Sequence, residues 1–271
     1  MHDERKLNMN KKDIKLGSPE RFGYAWNIAS EIKNINETQF LNWTKVIKDK
    51  KFWKNKNILD AGCGIGRNTY WPILYGAKSA VAIDLDDRTL NAAKNNLSEF
   101  NNVKISKQSI YDIQYENKFD ISFSIGVVHH LEFPKKAIDE LVKATKPGGK
   151  ILVWLYGYEN MELYVRLLNP IRKALFSRAP LPLVRIASYF PTLFLYLYIK
   201  TGLSKLEYFK LLKRLNFLEI QQIIFDQMLP KTADYYKKNE AINLLKHPKL
   251  EEIKIEWVNE CSWSVIATKK N

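Results

Sequence analysis

Seven residues put an acid and three glycines into one turn, Asp60-Ala61-Gly62-Cys63-Gly64-Ile65-Gly66. Ile58 and Leu59 run into it, and a polar segment able to open a helix follows. Glycines at alternate positions suit a turn so tight that a Cβ would obstruct it, which leaves backbone close enough to touch a ligand. A carboxylate two residues ahead of the first glycine repels a pyrophosphate and suits an ammonium, so the ligand that fits carries an amino-acid end. Asp84, 22 residues past Gly62, closes the apolar run Ala80-Val81-Ala82-Ile83. There its two oxygens match the vicinal hydroxyls of a ribose, with Asp86 as the alternative. His129 and His130, two of the chain's four histidines, stand side by side after another apolar run. An imidazole titrates near neutrality and can take a proton from a hydroxyl or thiol nucleophile. The other reading of the pair is that one ring caps the next helix and orients the loop.

The spacing excludes two nucleotide binders. The fingerprint G-x-G-x-x-G would place glycine at position 67, where the chain has Arg67, and the Gly-Lys-Ser/Thr of a P-loop is missing. What remains, D-x-G-x-G-x-G, resembles the first motif of class I S-adenosylmethionine (SAM)-dependent methyltransferases at every glycine. Leu141-x-x-x-x-Lys146-Pro147-Gly148-Gly149, ahead of a strand, is a second mark of the same family. The resemblance covers residues 55–157 by motif and 235–269 by pattern only.

It implies SAM as cofactor, bound by Asp60, Gly62, Gly64, Gly66, Asp84, Leu85, Ser109, Ile110 and Ile125. Ser109 stands where the family has an acid and offers only a hydroxyl to the exocyclic amine of the adenine. Asp112 is its substitute, and the backbone of Ile110 is expected at the ring edge. The exit of the fourth strand borders the transferable methyl in this family. Methylases of adenine or glutamine amides carry Asn-Pro-Pro-Tyr there, so Ile125-Gly126-Val127-Val128 argues against both substrates. His130, and after it His129, are the candidate proton acceptors. Tyr156, Asp226 and Tyr235 are expected on the acceptor side, because similar bacterial enzymes have an Asp and a Tyr in a return loop. The segment Phe22-Gly23-Tyr24-Ala25-Trp26 is similar to an aromatic lid of such enzymes, and would bring Arg21, Tyr24 or Trp26 near the methionine end.

Positioning these groups takes a doubly wound α/β fold, a Rossmann-like seven-stranded methyltransferase sheet with a helical insertion after the fifth strand. Strands are expected at 58–61, 80–83, 103–106, 119–125 and 150–156, and a reversed final pair at 252–257 and 262–267, where apolar residues alternate. Helical spacing predicts elements at 37–53, 68–75, 88–100 and 134–145, with Asp86 and Asp87 capping the third of these. Four parts follow: a lid and leading helix over 1–54, the SAM-binding core over 55–157, a helical substrate cap over 158–230, and the rest of the sheet over 231–271. Residues 1–17 are polar and expected to fray, and 223–230 are expected to return from the cap as a loop.

At 271 residues and 46% apolar, the chain can build one large domain with an insertion. Cys63 and Cys261 give neither a disulfide framework nor metal-ligand spacing, and no metal is expected. They fit a reducing cytoplasm, and the charged start carries no signal-peptide pattern. The net charge is +14, from 43 Lys+Arg against 29 Asp+Glu. Much of the excess is lysine interleaved with asparagine, which reads as solvated surface, and no zinc-finger spacing or RNA-binding aromatic signature accompanies it. Residues 181–199 approach a membrane span in length, but Arg185, Pro182 and Pro191 interrupt them. A cap over the active site is the first reading, and peripheral membrane contact through 181–199 the second. Ten basic residues against five acidic between 158 and 230 favour the latter.

The reading is a SAM-dependent methyltransferase acting on a small-molecule, sugar or lipid-linked acceptor, at oxygen first and at a thiol or amine next. RNA or protein as acceptor, and a SAM-binding module without turnover, are the alternatives. An NAD-dependent oxidoreductase is opposed by Asp60 and Arg67.

Overall fold

The computed structural model describes residues 18–203 and 206–271; the start expected to fray, 1–17, lies outside the described residues. Seven strands, β1 (Asn57–Ala61), β2 (Ser79–Asp84), β3 (Val103–Lys107), β4 (Phe119–Ile125), β5 (Thr145–Tyr156), β6 (Leu250–Val258) and β7 (Ser262–Lys269), form one sheet in the order β3-β2-β1-β4-β5-β7-β6. The first five are parallel, and β7 runs antiparallel to both β5 and β6. The inner strands are near-continuous apolar runs because helices cover both of their faces. The chain winds outwards from β1 through β2 to β3, then restarts at β4 on the other side of β1. That reversal opens a crevice beyond the carboxyl ends of β1 and β4, where such sheets take ligands. The glycine turn, Asp84, Ile125 and Tyr156 all end strands at this edge.

One face is closed by α5 (Pro134–Ala144), whose Ala137, Ile138, Leu141, Val142 and Ala144 pack in a cluster with Leu59, Ile151 and Val153. α10 (Lys238–Leu244) adds Ala241 and Leu244 to the same core. The other face is closed by α3 (Arg67–Leu74), with Trp71 and Ile73, and by Phe40 and Trp53 over Ile58, Ile121 and Phe123. α4 (Asp87–Asn96) follows β2, and Asp86 caps it by accepting the Arg88 and Thr89 N–H groups at 3.0 and 3.2 Å.

Two helices are shorter than their periodicity predicts. The leading helix α2 (Ile35–Trp43) stops where the Thr44 hydroxyl donates back to the Phe40 carbonyl at 2.8 Å. The chain resumes as a 3₁₀ turn, Lys50–Trp53, capped by Asp49 and seating the buried Trp53. α4 ends at Asn96, four residues before the expected limit. Conversely, β5 begins at Thr145 rather than 150, pairing with Phe119 across an irregular register.

The lid helix α1 (Ser18–Ile28) precedes α2. After β5 come a π-helical turn (Tyr164–Leu168), α6 (Asn169–Leu175), α7 (Leu181–Thr201), α8 (Glu207–Leu212) and α9 (Phe217–Met228). The stretch expected as a return loop is mostly helix. Asn216 and Glu219 form a capping box that starts α9, and Ile220, Phe225 and Met228 give it a buried face. The crossing back to the sheet happens later: the Asp234 N–H donates to the His129 carbonyl at 2.8 Å and the Tyr236 N–H to that of Tyr156 at 2.9 Å.

Candidate active site

A cavity of about 1350 Å³ lies at the carboxyl edge of the sheet, with walls from the glycine turn, the lid and the cap. Common ligand pockets hold about 300–1,000 Å³, so this one has room for a cofactor and an acceptor together. Of the residues expected to bind, Gly62, Gly64, Asp84, Leu85, Ile110, Ile125, His130, Tyr156, Asp226 and Tyr235 line it.

Gly64 is the open point of the turn. Its φ is +53°, and a Cβ built on it would meet nothing within 4 Å. Gly62 also lines the cavity, but a Cβ there would come 2.4 Å from the Val127 side chain. The Asp84 carboxylate accepts the Gly64 N–H at 2.8 Å, that of Leu85 at 2.7 Å and that of Asp86 at 3.2 Å. Burial raises its pKa, against which these three backbone donors act. A carboxylate offers about four lone-pair sites, so one remains for a ligand hydroxyl. An adenosine fits this wall, with Asp84 for the sugar, open backbone at Gly64, and Ile110, Leu85 and Ile125 as apolar surface.

Four expected residues are not on the wall. Asp60 is fully buried behind the turn, where one oxygen accepts the Thr69 hydroxyl at 2.7 Å and the other has no partner. Burial lifts its pKa to about 7. Through the Thr69 bond it ties α3 to β1, and it is not part of the cavity wall. Gly66 is the residue before α3, and a Cβ there would press on Leu97 at 2.7 Å, so it serves helix packing. The Ser109 hydroxyl accepts the Tyr111 N–H at 3.1 Å and holds its own loop, which leaves Gln108 and Ile110 to face the cavity. His129 has no exposure and lies behind Tyr156, ring centroids 3.8 Å apart. It cannot reach an acceptor.

His130 can. Its ring is held between Phe22 and Tyr156, with centroids 5.0 and 5.4 Å away. Nδ1 lies 2.8 Å from the Thr232 carbonyl oxygen, which only accepts, so the proton sits on Nδ1 and Nε2 carries the lone pair. Burial brings the pKa down to about 4, the nearby Arg172 charge adding to it, so the ring is neutral at physiological pH.

Tyr156 accepts a hydrogen bond from the Gln227 amide at 2.8 Å and stacks with Tyr235, centroids 5.4 Å apart. Asp226 accepts the Gln222 amide at 2.9 Å, and burial raises it to about 7 against the pull of Arg67. Arg67 fills the position where a dinucleotide binder has glycine. Its guanidinium lies 4.3 Å from the Trp26 ring centre and 4.8 Å from that of Trp43. Burial lowers its pKa to about 10.

Of the three lid residues expected as alternatives, one reaches the site. Trp26 lines the cavity, but Arg21 does not. Its guanidinium donates to the carbonyls of Leu229, Ala179 and Phe176 at 2.9, 3.0 and 2.7 Å, tying α1 to the cap. Tyr24 packs edge-on against Phe225. Arg172 joins the wall from the cap. It is buried on the cavity wall, donates to Pro230 and Asn169, and leaves Nη2 without a partner. No local signal marks it within an apolar insertion, whereas Arg67 was visible as the first residue after the third glycine.

A family model described as a methyltransferase domain matches residues 59–153. The chain is 32% identical over 110 residues to the mitochondrial ubiquinone biosynthesis O-methyltransferase of Dictyostelium discoideum, covering 36% of this chain and 34% of that protein. It is 29% identical over 116 residues to the tRNA U34 carboxymethyltransferase of Ruthia magnifica, covering 42% and 36%. The chain thus spans about a third of the length of these curated relatives. Among solved structures it is similar to magnesium protoporphyrin IX methyltransferase of Synechocystis PCC 6803 with bound SAH, at a TM-score of 0.56, 12% identity and coverage of 96% and 100%. The sheet order, the glycine turn with its strand-ending acid and the matched segment identify a class I SAM-dependent methyltransferase domain, with S-adenosylmethionine as its cofactor.

Proposed function

We propose that the chain methylates a hydroxyl oxygen on an acceptor with an apolar body, a small molecule or a lipid-linked one. The observation that carries this is one continuous cavity, which runs from Gly64 and Asp84 to His130, Asp226 and Tyr235 under an apolar cap. When bound, SAM supplies an electrophilic methyl group, so the protein needs little covalent chemistry of its own. Asp84 and the Gly64 backbone hold the nucleoside. The cap excludes water and seats the acceptor, which is what an in-line transfer demands.

Two proton acceptors share this wall. His130 Nε2 is neutral and takes a hydrogen bond from an acceptor hydroxyl, orienting a lone pair. Asp226, at about 7, is the group best matched to removing the proton at neutral pH. A thiol or amine acceptor would use the same groups.

RNA is the rival acceptor, favoured by the +14 charge. The experiment is incubation of the chain with labelled SAM and, separately, a membrane extract, a small-metabolite extract and RNA. Label in a lipid or small-metabolite fraction is expected. Label confined to RNA or protein, with RNA binding that falls steeply with salt, would replace this reading. SAM binding with no transfer to any fraction would make the chain a binding module.

A further inference from the structure

α7 is turned inside out. Its buried side carries Val184, Ser188, Thr192 and Ile199, while Leu183, Ile186, Phe190, Leu193, Phe194 and Leu197 face outwards. Phe190 is 71% exposed and Ile186 68%, whereas Ser188 and Thr192 have no exposure at all. The inward hydroxyls are satisfied by protein. Thr192 donates to the Ser188 carbonyl at 2.7 Å, and Ser188 donates to that of Arg185 at 2.6 Å and accepts the Gln221 amide of α9 at 2.7 Å. A helix on a water-facing surface has the opposite arrangement. The preceding segment repeats it: Leu163, Leu167, Ile171 and Leu175 fall four residues apart and each is more than half exposed. Large apolar side chains exposed in rows along two successive segments mark an interaction site.

The cavity opens into this face. Leu163, Leu168, Ile171, Tyr189 and Leu218 are exposed and also line the cavity. Cations border it. Arg178 stands just ahead of α7, Lys200 in its last turn and Lys173 within α6, all exposed and none in an ion pair among the described residues.

We infer that this face of the cap docks on an anionic lipid surface, with α7 in the plane of the interface and the cavity mouth turned towards the acyl chains. Outward leucines and phenylalanines enter the headgroup–acyl boundary, and the bordering cations meet anionic headgroups. With 21 residues and a hydropathy of 1.3, α7 is long and apolar enough to cross a bilayer. The Gln221–Ser188 bond and the buried side packed on α9 hold it flat against the protein instead. A second copy suits the face less well, because it would bring one cationic border against another. The mouth then admits an acceptor with a long apolar tail directly from the bilayer. That last clause rests on the methyl-transfer reading; the docking does not.

The test is flotation of the full chain with vesicles of phosphatidylcholine alone, and of phosphatidylcholine and phosphatidylglycerol in equal parts. Flotation with the mixed vesicles, weakening as salt screens the headgroups, is expected. Phe190→Asp with Phe194→Asp should lower the bound fraction by about tenfold or more. Both positions are exposed and off the cavity wall, so melting and calorimetric SAM binding of this variant should match the parent. Should it fold poorly, Arg178→Glu with Lys200→Glu should give the same loss from soluble, folded protein. No flotation with the mixed vesicles, or equal flotation of the folded variants, would overturn the inference. So would a parent dimer in sedimentation that the double aspartate variant breaks, since a second copy would then cover the face. Intact flotation without methyl transfer to any acceptor would sink the proposed function alone.

Discussion

The carboxylate of Asp84, at the end of β2, accepts the backbone N–H of Gly64 at 2.8 Å and so locks the glycine turn to the neighbouring strand. One group thereby shapes the turn and faces the cavity. Asp84→Ala should weaken SAM binding by about 1.5–3 kcal/mol, the scale of a hydrogen bond to a charged group. Calorimetric titration measures it, and unchanged affinity would remove the sugar contact from Asp84, since Asp86 is taken up by Arg88 and the cap of α4.

Two glycines of the turn should respond differently to alanine. At Gly64 the methyl enters open space at the cavity wall, so Gly64→Ala should fold, with about 1–2 kcal/mol of left-handed backbone strain, and bind SAM more weakly. At Gly66 the methyl would press on Leu97 of the core, so Gly66→Ala should chiefly lower the melting temperature. Equal SAM affinity in Gly64→Ala and the parent would remove Gly64 from the cradle.

His130 binds its proton only near pH 4 in the folded chain, against 6.5 ordinarily. Between those values the unfolded chain holds the extra proton, so stability falls as pH drops from about 6.5 towards 4. His130→Ala should make that part of the stability profile shallower, buried His129 keeping its own share of the slope, and slow turnover by about tenfold or more, with SAM affinity kept. Normal turnover would leave His130 structural.

Asp226 is raised to about 7 from 3.8, so activity that depends on its carboxylate should rise with pH through about 7. The sign for stability is opposite to that of His130: the folded chain holds the extra proton, and stability falls as pH rises through that window. Asp226→Asn should abolish the limb near 7 and cut turnover by about a hundredfold. Arg67→Met removes the charge that draws Asp226 down and should move the limb upwards. A limb that stays in place in both variants would assign it elsewhere.

Much of this was legible in the chain before folding. A strand's burial on both faces, a turn that only glycine can make and an acid at a strand end are local demands, written within a few residues. Thus the five parallel strands, the Gly62 to Gly66 turn and Asp84 could be read directly, and so could the helix cap at Asp86. What lay beyond was decided by distant partners. His129 and His130 are adjacent and chemically identical, yet Tyr156 covers one and Thr232 orients the other. Asp60 and Asp84 are both acids beside the same turn, but only the second reaches the cavity. Arg21 and Arg172 were given their tasks by carbonyls of the cap, and the outward leucines of α7 by which side α9 happened to take. Spacing along a chain fixes which way a strand or helix can go; which of two neighbouring side chains meets a cavity depends on packing against segments a hundred residues away.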